Sequence, residues 1–370
     1  MINNNKPIKI NIIGNNNSGE AVSDGGRIKI RLFQTLLLEE NIDARIIELN
    51  NWKKHFFSIV REIKHSLKNN EPIVIMAGPN GSRFIIPIVH YLNKKYKTRV
   101  VFCPVGIGTI DKIVRNMSPT QLTNFLLCKD FCGKKDKHFS KYLSSFSEVV
   151  LENKVLEECY KKFYSLKNTS MLTNFRVFDG EQNYKHINSG NDLHCIFLAR
   201  VCLEKGILDL VECINQINKK SERKIFLDIF GDIQLKDDVT LFNETNEYVK
   251  YCGVVKQNEC YELLPKYDLF VLPTKYHGEG TPGSLVESLI AGTPVLVSNY
   301  SQSKELIIEG YNGYLFEMNS LDSLKGKLIF ILNNKSKLEG LRKNVMESSK
   351  KFIYKNVKGD FLDKIGGVHK

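Results

Sequence analysis

Glu279 and Glu287 are the residues of this chain best placed to do chemistry. They stand eight positions apart in HGEGTPGSLVESLIAGTPVLVSN, where a glycine-containing turn precedes a helix-like stretch. Backbone N–H groups at a helix start attract anions, and carboxylates accept hydrogen bonds from hydroxyls. The segment therefore suits a phosphorylated ligand rich in hydroxyl groups. An ordinary strand–loop–helix corner with a solvated glutamate is the alternative interpretation.

Two further loops carry residues suited to an anionic ligand. Gly25 and Gly26, in Asp-Gly-Gly-Arg, open a helical stretch and would let the backbone approach a ligand closely. Arg200 and Lys205 follow a strand, and two cations on one loop could neutralise a diphosphate. Read alone, the first loop is equally a helix-entry turn, and the second equally carries ordinary surface charges.

The elements that must position these residues follow the pattern of parallel α/β units. Short apolar strands alternate with helical stretches in both halves, so we predict two doubly wound Rossmann-like domains that face each other across a cleft. Ligands of such sheets bind at the carboxyl ends of the strands, where these loops fall. The predicted strands are 8–13, 44–49, 73–77, 99–103, 148–151 and 170–172, then 193–198, 225–230, 249–252, 269–272 and 294–297.

Length and patterning also predict the domain boundaries. A chain of 370 residues exceeds the usual size of one hydrophobic core. We predict an N-terminal domain over 1–180, a linker over 181–192 and a C-terminal domain over 193–350. The remaining residues, 351–370, are predicted to form a helix that packs back on the N-terminal domain.

Composition favours a cytoplasmic enzyme. Nine cysteines without a CxxC pair indicate reduced thiols, and neither a signal peptide nor a membrane span is predicted. The net charge of +12 is asymmetric: residues 1–180 hold 28 Lys and Arg against 16 Asp and Glu, and the remainder 25 against 25. Basic clusters at 94–97 and 129–141 suit an anionic membrane surface, an anionic acceptor or nucleic acid. Composition bias and solvated loops remain the alternatives.

Seven spaced motifs make residues 193–317 resemble the retaining, two-Rossmann-domain glycosyltransferases of family 4. The early DGGRIKIR and the E-G-x-P-G variant resemble members that build bacterial capsule or other surface polysaccharides. The motifs are ARVCLEKG, FGD at 230–232, YCGV at 251–254, DLFVLP at 268–273, EGTPGSLVE at 279–287, AGTPVLVS at 291–298 and ELIIEGYNGYLF at 305–316.

The resemblance implies that the domain at 1–180 binds the acceptor and the domain at 193–350 the nucleotide-sugar. It also implies a role for each candidate residue. Arg200 and Lys205 would hold the donor diphosphate, Glu287 the ribose hydroxyls, and Glu279 would face the donor sugar as a positioning and electrostatic group. The N-domain loop would close onto the diphosphate through Gly25 and Gly26. Backbone N–H groups of the glutamate segment would face sugar and phosphate. They belong to Gly280, Thr281, Gly283, Ser284 and Leu285.

Two departures from the family pattern bear on these roles. Pro282 has no N–H, so one possible donor to sugar or phosphate is absent. No histidine follows the 99–103 strand, where many members carry one near the sugar. His277, two residues before Glu279, is the remaining candidate for a sugar contact, and His90 and His138 read as packing or surface residues.

The resulting expectation is a peripheral enzyme at the inner face of the plasma membrane. It would move a sugar, with retention of configuration and without a metal or other cofactor, from a nucleotide-diphospho-sugar to a glycan acceptor, lipid-linked in surface polysaccharide synthesis. A nucleotide-sugar-binding protein without transferase activity is one alternative. A nucleic-acid-binding protein is another, suggested only by the basic pI, and no nucleic acid is expected as a partner. No GxGxxG follows a strand, which disfavours a dehydrogenase.

Overall fold

The computed structural model describes residues 8–16, 25–106, 108–110, 136–180, 190–234, 247–276, 279–300 and 302–367. The chain folds into two compact units, Met1–Thr173 with Lys358–Lys370, and Asn174–Val357. From the sequence, we predicted the linker between the two domains at 181–192. Positions 181–189 of that predicted linker lie outside the described residues.

The N-terminal unit is built on a six-stranded parallel sheet in the order β2-β1-β3-β4-β5-β6. Runs of isoleucine and valine form its central strands, as expected for strands covered by helices on both faces. The strands are β1 (Lys9–Gly14), β2 (Asp43–Glu48), β3 (Ile73–Met76), β4 (Val100–Phe102), β5 (Glu148–Leu151) and β6 (Thr169–Met171). The helices between them are α1 (Gly25–Glu39), α2 (Trp52–Lys68), α3 (Pro79–Tyr96), α4 (Lys137–Ser144) and α5 (Lys154–Tyr164).

The C-terminal unit holds a second parallel sheet, in the order β12-β11-β10-β7-β8-β9. Its strands are β7 (Leu193–Leu198), β8 (Ile225–Phe230), β9 (Val249–Tyr251), β10 (Leu269–Leu272), β11 (Val295–Ser298) and β12 (Gly313–Phe316). Its helices are α6 (Ile207–Asn218), α7 (Cys260–Leu263), α8 (Gly283–Ile290), α9 (Ser303–Leu306), α10 (Leu321–Asn333) and α11 (Ser336–Ser349). The prediction of an α/β fold with two parallel sheets is confirmed.

Strand β12 is the element that the sequence did not predict. It begins with a glycine and follows the turn-like run Glu-Gly-Tyr-Asn, and both features are atypical of a strand. The structure explains the glycine. A Cβ on Gly313 would stand 2.6 Å from the carbonyl oxygen of Val295, on the neighbouring strand β11. Close approach of two strands, rather than local propensity, therefore selects this residue.

The C-terminal residues belong in part to the N-terminal unit. Helix α12 (Tyr354–Phe361) crosses the division, and its last residue packs edge-to-face on Phe33 of α1 with ring centroids 5.0 Å apart. Beyond the helix, Arg99 donates to the carbonyl oxygen of Lys364 at 2.8 Å. This segment is where the sequence predicted a C-terminal helix returning to the N-terminal domain.

A buried ion pair joins α1 to the carboxyl end of β5. Lys29 Nζ lies 2.6 Å from Glu152 Oε1, and both residues are at most 7% exposed. Burying an unpaired charge is costly, so each residue requires the other. The pair fixes the first turn of α1, which begins at Gly25 and Gly26.

The described cysteines are free thiols, and all but Cys252 are buried. Cys128 and Cys132 lie outside the described residues. None of the helices in the described ranges combines the length and the apolarity needed to cross a membrane.

Candidate functional site

Three adjacent strands of the C-terminal sheet end beside Glu279. Strand β10 lies between β11 and β7, so the loops that follow these strands emerge at one edge. Ser298, at the end of β11, donates to the carbonyl oxygen of Thr274 at 2.7 Å, two residues beyond β10. The N–H of Glu279 donates to the carbonyl of Tyr276 at 3.1 Å, which turns the chain back towards the sheet. The turn buries Glu279 to 8% exposure.

The Glu279 carboxylate is held by one of its two oxygens. Oε2 lies 2.5 Å from Lys205 Nζ and accepts the Thr274 hydroxyl at 2.9 Å. Oε1 has no partner among the residues that the structure describes. The arrangement fixes the side chain, neutralises its charge and leaves one oxygen available to accept from a ligand.

Gly206 allows Lys205 to reach this position. Lys205 ends the 3-10 turn Leu203–Lys205 after β7, and Gly206 follows with φ of +72°. A Cβ on Gly206 would stand 1.9 Å from the carbonyl oxygen of Pro273, so only glycine lets the turn pack on the end of β10. The sequence predicted Lys205 on a loop that follows a strand. The close contact of Gly206 with Pro273 holds that loop against the end of β10, and this brings Lys205 to Glu279.

Glu287 shows the same asymmetry. It lies in α8 and is 7% exposed. Its Oε1 accepts Arg176 Nε at 2.8 Å and Gln257 Nε2 at 3.3 Å. Across the described ranges, no side chain or backbone group bonds to Oε2. Both predicted acids are therefore buried and paired with a buried cation, and in each the second oxygen has no partner among the described residues.

Arg176 is the site residue that the sequence interpretation missed. It is 4% exposed, and its Nη1 donates to Asn174 Oδ1 at 3.1 Å and to the Phe175 carbonyl at 2.9 Å. Asn174 in turn donates to the carbonyl of Thr281 at 2.8 Å. The sequence offered one arginine after Asn174, with no motif to connect it to a helix more than a hundred residues later.

Gly283 makes room for that arginine. A Cβ at Gly283 would stand 1.8 Å from Arg176 Nη2. The glycine thus serves the guanidinium, not an unusual backbone angle. The E-G-x-P-G variant and Arg176 form one packing unit, in which the start of α8 and the cation on Glu287 fit together.

The start of α8 supplies the predicted N–H groups. The first bond within the helix runs from Val286 N to the Pro282 carbonyl at 3.1 Å, so the N–H groups of Gly283, Ser284 and Leu285 have no carbonyl within the helix. Pro282 is extended and precedes the helix. Gly280 and Thr281 lie in the turn before it, and Thr281 is buried.

Within the described residues, no contact joins the remaining candidate residues to Glu279 or Glu287. Arg200 is exposed and donates to Gln234 Oε1 at 3.2 Å. Gly25 and Gly26 begin α1 in the other unit, so their contact with a diphosphate stays a prediction. His277 lies outside the described residues. His90 is 4% exposed and its Nδ1 lies 2.6 Å from Ser145 Oγ, which fits a packing role.

Two tyrosines near the acids carry hydroxyls that lack a partner in the described part of the chain, Tyr261 and Tyr300. Burial raises the pKa of both phenols; the charge of Glu287 adds to the rise of the pKa at Tyr261, and that of Glu279 to the rise at Tyr300. Sequence patterning provided no signal for either residue, because apolar packing explains a tyrosine equally well.

Part of this chain is similar in sequence to known proteins. Residues 180–351 match the family described as Glycosyl transferases group 1. An uncharacterised glycosyltransferase of Methanocaldococcus jannaschii is 25% identical over 228 residues, 60% of each chain. The UDP-Gal:alpha-D-GlcNAc-diphosphoundecaprenol alpha-1,3-galactosyltransferase of Escherichia coli is 26% identical over 203 residues, 50% of this chain and 51% of that protein. The matched region thus spans about half the length of these curated relatives.

Solved structures show the fold. Anabaena HepE in complex with UDP superposes with a TM-score of 0.69 at 14% identity, over 97% of this chain and all of that one. Sucrose-phosphate synthase from Thermosynechococcus elongatus gives 0.70 at 15% identity, over 97% of both chains. The architecture of two Rossmann-like units is that of GT-B glycosyltransferases, as the sequence predicted.

The packing of Arg176 against Gly283 predicts that the effect of Gly283→Ala on the free energy of unfolding depends on Arg176. Gly283→Ala should destabilise the protein, because the new methyl group displaces the guanidinium from Glu287. In an Arg176→Ala background the same change should be neutral or stabilising by up to about 1 kcal/mol, since alanine is the better helix residue. Urea unfolding of the four proteins of this cycle measures the coupling. Equal destabilisation in both backgrounds would contradict the arrangement.

Proposed function

We propose that the chain is a retaining glycosyltransferase of family 4 that uses a nucleotide-diphospho-sugar donor. The observation that carries the proposal is the pair of buried glutamates, Glu279 and Glu287. Among the described residues, each is bound through one oxygen and has no partner on the other. They flank the start of a helix whose first N–H groups have no carbonyl partner within the helix. Acceptors for hydroxyls on either side of a site for phosphate match the chemistry of such a donor.

The role of each acid follows from its place. Glu287 Oε2 would accept from a ribose hydroxyl, while Arg176 holds the carboxylate in place through Oε1. Glu279 Oε1 would accept from the donor sugar. Since its other oxygen is bound to Lys205 and Thr274, Glu279 is a positioning and electrostatic group, not a nucleophile.

The diphosphate would lie between the acids, on the first turn of α8. The N–H groups of Gly283, Ser284 and Leu285 and the ammonium of Lys205 would stabilise the departing nucleoside diphosphate without a metal ion, with Arg200 as a second cation. Lys205 has three N–H donors and uses one on Glu279. Retention without an enzyme nucleophile requires the acceptor oxygen to attack C1 on the face from which the diphosphate leaves. The new bond to the acceptor would form as the C1–O bond to the phosphate breaks, and the departing phosphate would take the acceptor's proton.

We infer a uridine nucleotide and a lipid-linked glycan acceptor from the names of similar proteins. HepE of Anabaena was crystallised with UDP and with UDP-glucose. The relatives from Escherichia coli and Campylobacter jejuni are named for diphosphoundecaprenol acceptors. A role in capsule or other surface polysaccharide synthesis would follow from such an acceptor.

A panel of UDP-, GDP-, ADP- and CMP-sugars tests donor binding by thermal shift. One class should stabilise the protein by about 1.4 kcal/mol at ten times its dissociation constant. Lys205→Met should weaken that binding at least 10-fold, because the diphosphate loses its buried cation. Lys275→Met is the matched control, since Lys275 pairs with Asp209 in the same unit, at the surface. Failure of every donor to bind would refute the proposal.

Product analysis separates a transferase from a protein that only binds nucleotide-sugars. Incubation of the identified donor with a lipid-diphosphate glycan, or with water alone, should release the nucleoside diphosphate. The anomeric proton of the product, observed by NMR, should keep the configuration of the donor. Inversion would contradict the retaining mechanism, and binding without any turnover would favour the non-catalytic alternative.

Helix α2 offers a surface for the anionic membrane contact that the charge asymmetry suggests. Phe57 is 84% exposed in the N-terminal unit. Exposed cations stand at helical spacing around it, at Lys53, Arg61, Lys64 and Lys68. An exposed phenylalanine ringed by cations suits an interface of acidic head groups. We infer that this stripe, and not only the 94–97 and 129–141 clusters, binds the lipid surface.

Vesicle sedimentation tests the membrane contact. The protein should bind phosphatidylglycerol-containing vesicles at low salt and lose most binding at about 0.5 M NaCl, because the attraction is screened. Phe57→Ser and Lys53→Glu should each weaken binding. Leu38→Ser changes another exposed apolar residue of the same unit, 51% exposed, and should leave binding intact. Equal binding to neutral vesicles, or none at low salt, would exclude an electrostatic membrane surface.

A further inference from the structure

Tyr300 is a buried tyrosine whose hydroxyl has no role in the described part of the fold. It follows β11 by two residues and is 2% exposed. Its backbone N–H donates to the Ser298 carbonyl at 2.9 Å, and Ser303 Oγ donates to its carbonyl at 2.7 Å, so the backbone is well anchored. The hydroxyl oxygen is buried, and none of the described residues bonds to it.

A buried hydroxyl without a hydrogen-bond partner lowers the stability of the folded state, and apolar packing does not compensate for the loss. Folding removes such a group from water without replacing its hydrogen bonds, and a phenylalanine would avoid that penalty. Burial, together with the charge of Glu279, raises the pKa of the phenol well above its ordinary value. The group therefore remains an O–H donor at physiological pH.

The surroundings of Tyr300 indicate what it would donate to. Ser298 binds the carbonyl of Thr274, and Thr274 binds Glu279, so Tyr300 belongs to the same strand-end cluster as the acid. Within the described ranges, that acid has its Oε1 uncommitted. Among the described residues, the cluster thus presents one donor and one acceptor without a partner. A hydroxyl group is the ligand chemistry that matches both, because it donates and accepts.

We propose that Tyr300 is a positioning residue for the transferred sugar, with its phenol donating to a sugar hydroxyl that in turn donates to Glu279. The inference rests on the proposed function and adds a subsite to it. A phosphate group fits less well, because it only accepts, and the open carboxylate oxygen would remain unsatisfied beside another anion. The subsite would contribute to binding of the sugar and not to binding of the nucleotide.

Calorimetric titration of the full chain with UDP and with UDP-sugars tests the assignment without relying on turnover. UDP-glucose, UDP-galactose and UDP-N-acetylglucosamine are the probes, and the sugar increment is the ratio of the dissociation constant of UDP to that of the tightest of them. Tyr300→Phe should reduce the increment about 3- to 10-fold, the value of one hydrogen bond, and leave UDP affinity unchanged. The melting temperature without ligand should stay the same or rise, because an unsatisfied hydroxyl is removed.

Tyr314→Phe is the matched control. Tyr314 is a buried tyrosine of the same unit, on β12, with its pKa raised by burial and by Glu309 instead of Glu279. This variant should keep the full sugar increment.

The outcomes separate the two proposals. Absence of uridine nucleotide binding in the unmodified protein would refute the donor assignment itself. UDP binding with no sugar increment, or an increment that survives Tyr300→Phe, would overturn the subsite alone. A lower melting temperature in Tyr300→Phe with an unchanged increment would assign the hydroxyl a structural role.

Discussion

A buried carboxylate must be paired with a cation, and in the C-terminal unit two glutamates meet this requirement within one turn and helix. Removal of one partner from a buried pair costs about 3–5 kcal/mol, so each cation is bound to its acid as a matter of stability. Lys205 comes from the turn after β7, and Arg176 from the segment after Asn174. The edge of the sheet, the 3-10 turn and the start of α8 all depend on these two contacts.

The same pairing explains how the acids can remain useful to a ligand. A cation on one oxygen orients the carboxylate and balances its charge, while the second oxygen keeps its lone pairs. Had both oxygens been bridged, as in a bidentate pair, the acids would be structural only. The orphaned hydroxyls of Tyr261 and Tyr300 extend this logic, since both lie near charged acids and neither is satisfied by the described residues.

The two units divide their charge differently. In the N-terminal unit the ion pair of Lys29 and Glu152 is buried and stabilises the fold. The cations of α2, in contrast, are exposed to solvent. Exposed charges contribute little to stability. The basic excess of this half is therefore available for the association with an anionic surface that we propose.

The sequence by itself determined the two parallel sheets, nearly every strand and the two acids, because burial between helix layers imposes continuous apolar runs and the glycine turns lie at strand ends. It also indicated Lys205. Tertiary structure alone decided β12, whose glycine is required by the close approach of the neighbouring strand β11. It alone brought Arg176 to Glu287. It also made Gly283 the space that accommodates the guanidinium of Arg176, and it left the hydroxyl of Tyr300 without a partner among the described residues. The physical reason is common to all four: pairing, close approach and satisfaction of a buried polar group are relations between distant segments, and no local pattern of residue types encodes them.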